Sequence, residues 1–501
     1  MEVWLGALGS FFSHHLYLYA IVGVYVGLII GAIPGLGPVF ALALCIPITF
    51  GLEPLAAMIA LTAVYCGTVG GGSVSSILLN IPGTTGSIST CYDGYPLAQQ
   101  GRAATALSVS FTSSIVGGLV GPLSLAFLGP LFGRWATKLG PIEFFSLVLL
   151  AFALVAAASK GDTLKGMLMA ALGLLFSFVG MDVITGTSRF SFGNLYLMDG
   201  IPFSPAVIGL FAFPELIAIA LRGKSVVVNS DKVGHQKGEV WEGVKAVLKA
   251  PFTIIRSSIL GVFIGVMPGV GINVSNLVNY MVEKKLSKEP ETFGKGNIKG
   301  LIAPEVANSA TATGSLSTAF ALGIPGGSSD AILLGGLMIF GLTPGKAFFD
   351  TSISLFFPTL IWGMLFAPLA MIGALFLVRY IAKVANIKHT VLVPMIALLS
   401  IVGAFANRGQ VFDIWVMIFF GVLGYFLVKA KYPLANLVVA MVLGKMLEAE
   451  LNRALRISGG SYTAFLESNI SLVALVISAA ILLSAFIDFK KLGRRLICSK
   501  Q

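Results

Sequence analysis

The chain has 501 residues, of which 56% are hydrophobic and 11% charged, whereas about a quarter of the residues in an ordinary soluble domain are charged. A soluble protein cannot bury so much apolar surface, so this composition excludes a disordered chain, a disulfide scaffold and almost any soluble enzyme, and it indicates a membrane protein. The formal net charge of +11 does not indicate nucleic-acid binding, because the basic residues are grouped in a few loops and follow a membrane-topology pattern.

Apolar segments that are candidates for membrane helices follow one another along the whole chain. A spanning helix needs about 20 apolar residues, and several of these segments are shorter or interrupted. Their predicted ranges are 17–33, 36–50, 55–72, 104–130, 142–158, 163–181, 200–221, 252–267, 270–282, 301–318, 348–378, 391–406, 411–428, 433–447 and 469–488. Two further apolar stretches, 73–90 and 319–342, are broken by glycine and proline and are predicted to be re-entrant. We therefore predict an all-α polytopic integral membrane protein with roughly ten to fourteen transmembrane helices.

The positions of the basic residues predict which loops face the cytoplasm. No Lys or Arg precedes Arg102, whereas the connections 222–250 and 283–300 and the C-terminal tail are basic. Short basic loops are retained in the cytoplasm. This rule places the amino terminus outside, together with the stretch 182–200 and the region 448–468.

An internal repeat divides the chain into two halves. GLIIGAIPGLGP (27–38) recurs as GVFIGVMPGVGI (261–272), and LLNIPGTTGS (78–87) recurs in the same order as ALGIPGGSSD (321–330). Because the first half begins outside and the second begins inside, the repeats are predicted to be inverted, which together with broken helices is typical of secondary transporters. The predicted organisation is membrane repeat 1 at 1–221, a cytoplasmic linker at 222–250, and membrane repeat 2 with an extra C-terminal helix at 251–501.

The first repeated motif, IPGLGP or MPGVGI, predicts a break in an apolar helix. Proline removes a helix hydrogen bond, and the nearby glycines let the chain bend sharply. In a bilayer the freed backbone groups must be satisfied by protein, water or a ligand. One copy is better explained as a simple kink, but two copies in register favour a cavity. The residues predicted to shape this cavity are Pro34, Gly35, Gly37, Pro268, Gly269 and Gly271.

The second repeated motif predicts the substrate site. Each of its Pro-Gly breaks is followed by hydroxyl residues that can cap a new helix, and the unpaired N–H groups at a helix N-terminus attract anions. Two such ends meeting near each other would bind one multivalent anion. The residues predicted to bind substrate are Asn80, Pro82, Gly83, Thr84, Thr85, Pro325, Gly326, Gly327, Ser328 and Ser329.

A bound cation is expected beside this anion. A desolvated carboxylate costs several kcal/mol, whereas a helix end contributes only about 0.3–2 kcal/mol. No Lys or Arg lies in residues 1–101 or between Lys299 and Lys346, so Na⁺ is the simplest partner. Its candidate ligands are Ser75, Asn80, Asn308 and Thr311. The alternative is a proton carried by Asp93, Glu305 or Asp330, each of which also has a structural interpretation as a helix cap, turn residue or interfacial residue.

Enzymatic classes are not indicated by the motifs. The sequence contains neither a P-loop lysine motif nor a Rossmann fingerprint, and no nucleophile and base pattern of a hydrolase is recognisable. We therefore expect no catalytic residues and no cofactor other than the coupling ion. A passive anion channel remains as an alternative to a transporter. Separately, Gly23, Gly27 and Gly31 recur every four residues and predict close helix packing.

These motifs resemble those of the large membrane subunit of the tripartite tricarboxylate transporters, the TctA family. The resemblance runs over nearly the entire chain. It includes GAIPGLGP, the LLNIPGTTGS block, MDVITGTSRFSFGNLYLMDGI (181–201), GVMPGVG, and the long blocks 299–345 and 412–444.

The resemblance implies a multi-pass transporter of the bacterial inner membrane. It implies that a periplasmic solute-binding protein delivers a carboxylate such as a tricarboxylate or dicarboxylate, that import is by Na⁺ or proton symport, and that a small membrane subunit completes the complex. The sequence has Thr85-Gly86-Ser87 where many relatives carry small apolar residues, and its middle loop is more basic. These departures leave the substrate open, including a solute that is not a carboxylate.

Overall fold

Helices form almost all of the regular structure in this computed structural model. It describes residues 2–136, 138–157, 163–182, 186–222, 238–267, 269, 271–342, 344–345, 348, 355–384 and 389–484. In chain order the helices are α1 Glu2–Ser13, α2 Leu16–Ala32, α3 Pro38–Cys45, α4 Pro54–Leu79, α5 Thr90–Gln99, α6 Ala103–Ala136, α7 Pro141–Ala157, α8 Thr163–Ser177, α9 Phe203–Arg222, α10 Glu239–Leu248, α11 Pro251–Val266, α12 Gly271–Leu286, α13 Ile298–Gly314, α14 Leu316–Leu322, α15 Ser328–Ile339, α16 Phe356–Ala370, α17 Ile372–Phe376, α18 Val378–Val384, α19 His389–Ala406, α20 Val411–Lys429, α21 Leu434–Ile457, α22 Ala464–Glu467 and α23 Asn469–Ser484. The predicted all-α class is confirmed.

The strands and 3₁₀ turns are minor elements. Two-residue strands β1 Gly180–Met181 and β2 Ser188–Arg189 pair antiparallel, with Gly180 opposite Arg189. Within the described residues, 3₁₀ segments are formed by Pro47–Thr49, Thr85–Ser87, Leu195–Leu197 and Pro290–Thr292. The segment Thr85–Ser87 follows the first Pro-Gly break of the second motif.

Several helices are long and apolar enough to cross a bilayer. Within the described residues five meet this description by length and composition, or seven if each of two helix pairs bent by 72° forms one crossing. The bent pairs are α1 with α2, and α10 with α11. Six further apolar helices are shorter. The polytopic class is therefore confirmed, and the number of ten to fourteen crossings stays a prediction.

The chain forms two compact units. The first comprises Met1–Ala136 with Pro202–Phe426, and the second comprises Thr137–Ile201 with Leu427–Gln501. Both copies of the two repeated motifs belong to the first unit. The repeat boundaries and the linker predicted from the sequence follow the internal similarity and the charge pattern of the chain, not its division into compact units. They stay a prediction.

Each repeat contributes an equivalent, closely packed helix pair to the first unit. Gly27 of α2 lies so close to α4 that a Cβ atom there would approach the Val64 carbonyl within 3.0 Å, and the matching Gly261 of α11 faces Ala307 of α13 at 3.0 Å. Small residues allow such close backbone approach between membrane helices. The glycine stripe read from the sequence therefore packs helices, as predicted.

The breaks in the two repeats have matching backbone geometry. Ile33 and Met267 both end a helix in an extended conformation, as expected for residues that precede proline. In the second motif, Asn80 and Gly323 occupy equivalent positions and both adopt the left-handed conformation that ends a helix, which favours glycine and then asparagine. The repeat seen in the sequence is thus also a structural repeat.

Two segments predicted to be cytoplasmic meet at one turn of the first unit. Between α5 and α6, the Gln100 side chain donates to the Lys295 carbonyl at 2.8 Å, and Arg102 forms a 2.7 Å ion pair with Glu242 of α10. Residues 239–248 and 283–300 therefore lie beside the same turn, as expected if both face one side of the membrane.

The second unit is assembled from α7, α8 and the helices after residue 433. Its buried Asn436 donates to the carbonyl oxygens of Val155 and Gly166, both at 3.2 Å. Arg189 of β2 forms a 2.5 Å ion pair with Glu448 of α21. The two stretches that charge patterning places outside, 182–200 and 448–468, are therefore in contact.

Candidate functional site

The breaks of the two repeats meet at one cavity of about 470 Å³ in the first unit. Its lining contains residues from both copies of both motifs. These are Gly35, Gly37, Pro38, Pro82, Gly83, Thr84, Thr85, Gly86, Ile272, Ser328 and Ser329. A cavity of this size falls within the range of small-molecule sites.

The N-termini of two helices at the large cavity favour the binding of an anion. Helix α15 begins at Ser328 and α3 begins at Pro38, with Gly327 and Gly37 as their N-caps. The first turn of a helix has N–H groups without partners inside the helix, and its dipole favours negative charge. On the repeat 1 side, the Pro-Gly break leads into a 3₁₀ turn capped by Thr84 rather than directly into an α-helix.

No positively charged side chain from the described residues lines the large cavity. Among the described residues, neither Lys, Arg nor His lines it, whereas one carboxylic acid, Glu215 of α9, does. Helix N-termini alone offset only part of the cost of desolvating an anion. Within the described residues, the helix N-termini are therefore the main groups at this cavity that favour negative charge.

Asn308 of α13 contributes an unusual polar group to the cavity. Asn308 is 1% exposed, and neither its Oδ1 nor its Nδ2 atom has a hydrogen-bond partner. Buried amides are almost always paired, so an unpaired one points to a ligand. Gly86 of repeat 1 lies directly against it, since a Cβ on Gly86 would approach the Asn308 Oδ1 atom within 3.0 Å.

A second, smaller cavity of about 90 Å³ adjoins the first. The two share Thr85, Ile272, Ser328 and Ser329. The remaining lining of the small cavity is Tyr65, Gly271, Thr311, Ser315, Gly326, Gly327 and Asp330. Its walls thus carry one carboxylate and several hydroxyl groups.

The predicted site residues divide between cavity walls and supporting positions. Besides the residues already placed on the walls, Gly269 donates its N–H to the Gly326 carbonyl at 3.2 Å and so joins the two breaks of repeat 2. The predicted site residues that line neither cavity are Pro34, Ser75, Asn80, Asp93, Gly269, Glu305 and Pro325. Pro268 lies outside the described residues.

Glu305 is held in a hydroxyl cage away from both cavities. It is fully buried and accepts hydrogen bonds from Ser73 at 2.7 Å, from Ser110 at 3.0 Å, from Ser114 at 3.3 Å and from Thr90. These hydroxyls belong to α4, α5 and α6 of repeat 1, whereas Glu305 belongs to α13. Glu305 therefore ties the repeats together.

Asp93 fixes a loop. Its Oδ1 atom accepts the backbone N–H groups of Gly294, Gly296 and Asn297 at 2.7–2.9 Å. These three donors satisfy the Oδ1 atom of the buried carboxylate and order the loop before α13. The structural interpretation thus has direct contacts in its favour for both Asp93 and Glu305.

Sequence reasoning missed several lining residues. They are Phe40, Val69, Phe211, Glu215 and Ile272 in the large cavity and Tyr65 and Ser315 in the small one. Most are ordinary helix residues in sequence. Two of them carried a signal in the sequence. Ile272 ends the second copy of the first motif, and Tyr65 occupies the position in repeat 1 that Asn308 occupies in repeat 2.

A helical membrane unit with a polar cavity between broken, repeated helices defines a membrane transport protein. The sequence profile of the tripartite tricarboxylate transporter TctA family matches residues 17–439. The chain belongs to this family, as its resemblance predicted, and this membership identifies it as the large subunit of such a transporter.

Two relatives from Agrobacterium vitis are similar to the chain. An "uncharacterized 52.8 kDa protein in TAR-I ttuC' 3'region" is 33% identical over 477 residues, which cover 94% of this chain and 93% of the relative. An "uncharacterized protein in TAR-II ttuC' 3'region" is 34% identical over 216 residues, or 42% of this chain and 87% of the relative. No solved structure matches the chain.

Proposed function

We propose that this chain is the translocation subunit of a transporter that imports a solute bearing carboxylate groups by cation symport across the bacterial inner membrane. It is not an enzyme in this proposal. A periplasmic solute-binding protein delivers the substrate, and a small membrane subunit completes the complex, in keeping with the tripartite family. The substrate class is a tricarboxylate or dicarboxylate.

The observation that supports this proposal is the chemistry of the 470 Å³ cavity. Its polar groups are hydroxyls, an unpaired amide and the beginnings of α3 and α15, which suit carboxylate oxygens. Neither Lys, Arg nor His lines it among the described residues, and helix N-termini offset only part of the cost of desolvating an anion. A cation that enters with the substrate supplies the remaining compensation, which is the physical basis of symport.

Uptake into vesicles tests the proposal. The full complex is reconstituted with its binding protein and given a panel of radiolabelled carboxylates at fixed pH, with Na⁺ or with choline in its place. We expect at least one tricarboxylate or dicarboxylate to accumulate above its external concentration when a Na⁺ gradient is present. Uptake that only equilibrates would show a channel, and no uptake of any carboxylate would refute the substrate class. Accumulation that is unchanged in choline would refute sodium symport.

A further inference from the structure

We propose that the 90 Å³ cavity beside the substrate cavity is a Na⁺ site, with Asp330, Tyr65, Thr311 and Ser315 as its oxygen ligands. This inference rests on the proposed cation symport and names where the ion binds. It differs from the ligand set predicted from the sequence, of which it keeps only Thr311.

The size of the cavity fits a small ion. At about 90 Å³ it has room for about three water molecules, which is too little for an organic anion. The small cavity nevertheless shares wall residues with the substrate cavity, because Thr85, Ser328 and Ser329 line both. An ion held here lies next to a substrate held there.

The charge of the cavity fits a monovalent cation. Asp330 is 2% exposed, and none of the ion pairs found within the described part of the chain involves it. A buried carboxylate without a positive partner is costly, and one Na⁺ would neutralise it. A divalent ion such as Ca²⁺ is usually held by several carboxylates, and this cavity has one.

The hydrogen bonds orient the hydroxyl groups for a cation. Thr311 donates to the Gly261 carbonyl at 2.9 Å, Ser315 donates to the Ala312 carbonyl at 2.9 Å, and the Tyr65 hydroxyl donates to Asp330 Oδ1 at 3.2 Å. With these protons engaged elsewhere, the hydroxyl oxygens have only lone pairs to offer the cavity. Thr311 has one lone pair left for this purpose, because its oxygen also accepts from the Ser275 hydroxyl at 2.6 Å. Lone pairs are what a hard cation such as Na⁺ requires.

The arrangement also explains how the ion is coupled to the substrate. Asp330 lies in the first turn of α15, and Ser328 and Ser329 of the same turn line the substrate cavity. Na⁺ at Asp330 removes a negative charge next to the place where the anion binds. Bound Na⁺ therefore raises the affinity of the protein for the substrate anion, and the bound anion raises its affinity for Na⁺.

Direct binding of ²²Na⁺ to the purified full-length complex tests the site without requiring transport. We expect Asp330→Asn to weaken Na⁺ binding by more than about tenfold, and Thr311→Val or Ser315→Ala to weaken it by about three- to tenfold. Glu305→Gln is the matched control, because it removes another buried carboxylate that lines neither cavity. It is expected to retain wild-type Na⁺ affinity in protein that elutes as a folded complex.

Two results of this binding assay would overturn the inference. One is wild-type Na⁺ affinity in folded Asp330→Asn protein, and the other is the absence of any saturable Na⁺ binding to the unaltered complex. If Asp330→Asn fails to fold, the Thr311 and Ser315 variants decide the question on the same criterion. Carboxylate uptake that a proton gradient drives without Na⁺ would also reject the Na⁺ site, whereas carboxylate import itself would stand.

Discussion

Replacing Gly83 with alanine is expected to lower carboxylate uptake by at least about tenfold. A Cβ atom at this position would lie 2.5 Å from the Ser75 Oγ atom, 2.6 Å from the Gly72 carbonyl oxygen and 2.8 Å from the Gly31 carbonyl oxygen. Two of these atoms belong to the backbone and cannot move aside easily. Overpacking of this kind costs about 1–3 kcal/mol, and every 1.4 kcal/mol is about a tenfold change in population.

The size of the effect should follow the crowding around each glycine. At Gly326, the equivalent position in repeat 2, the nearest atoms would lie at 2.9–3.1 Å, and at the loop residue Gly51 nothing lies within 4 Å. Uptake per amount of inserted protein should therefore fall most in Gly83→Ala, less in Gly326→Ala, and not at all in Gly51→Ala. Equal uptake by all three variants would show that transport does not depend on close packing at the Pro-Gly breaks of the second motif.

Replacing Asn308 with leucine is expected to lower uptake by more than about tenfold without lowering stability. Both polar atoms of this side chain are buried and without a partner, so their removal breaks no hydrogen bond within the protein. Leaving such a group unsatisfied costs about 1–3 kcal/mol, and leucine has a similar shape. The midpoint of thermal unfolding in detergent should therefore stay unchanged or rise.

Asn436 provides the control for this substitution. It is also a buried asparagine in a helix, but its amide donates to two carbonyl oxygens. Asn436→Leu should lower the free energy of unfolding by about 1–3 kcal/mol, because two carbonyl groups lose their donor. If Asn308→Leu is destabilised as much as Asn436→Leu, or transports normally, then Asn308 is a structural residue rather than a substrate contact.

The sequence was sufficient to predict the helical class, the repeat and the positions where helices break. These features follow from local chemistry, since Pro34 forces an extended Ile33 and the small residues around Gly27 allow close packing. The same local rules did not predict that the Thr85–Ser87 segment forms a 3₁₀ turn, nor that Asn80 ends α4 without lining either cavity.

The contacts of the site could not be predicted because they join residues far apart in sequence. Glu305 meets Ser73, Ser110 and Ser114 across some 190 to 230 residues, and no motif links them. Glu215 enters the cavity from α9, which has no counterpart among the repeated motifs. The roles assigned to the lining residues stay predictions, and the structure supplies their geometry.

The most direct test of the account is substrate protection of single cysteines in the two repeats. After replacement of the native cysteines, Thr85→Cys, Ser328→Cys and Asn80→Cys are each labelled with a thiol reagent in the reconstituted complex, with and without the transported carboxylate and Na⁺. We predict that the carboxylate slows labelling at positions 85 and 328 with the same half-saturating concentration, and leaves position 80 unaffected. Protection at only one of the two positions, or at neither, would contradict a substrate site formed jointly by the two breaks.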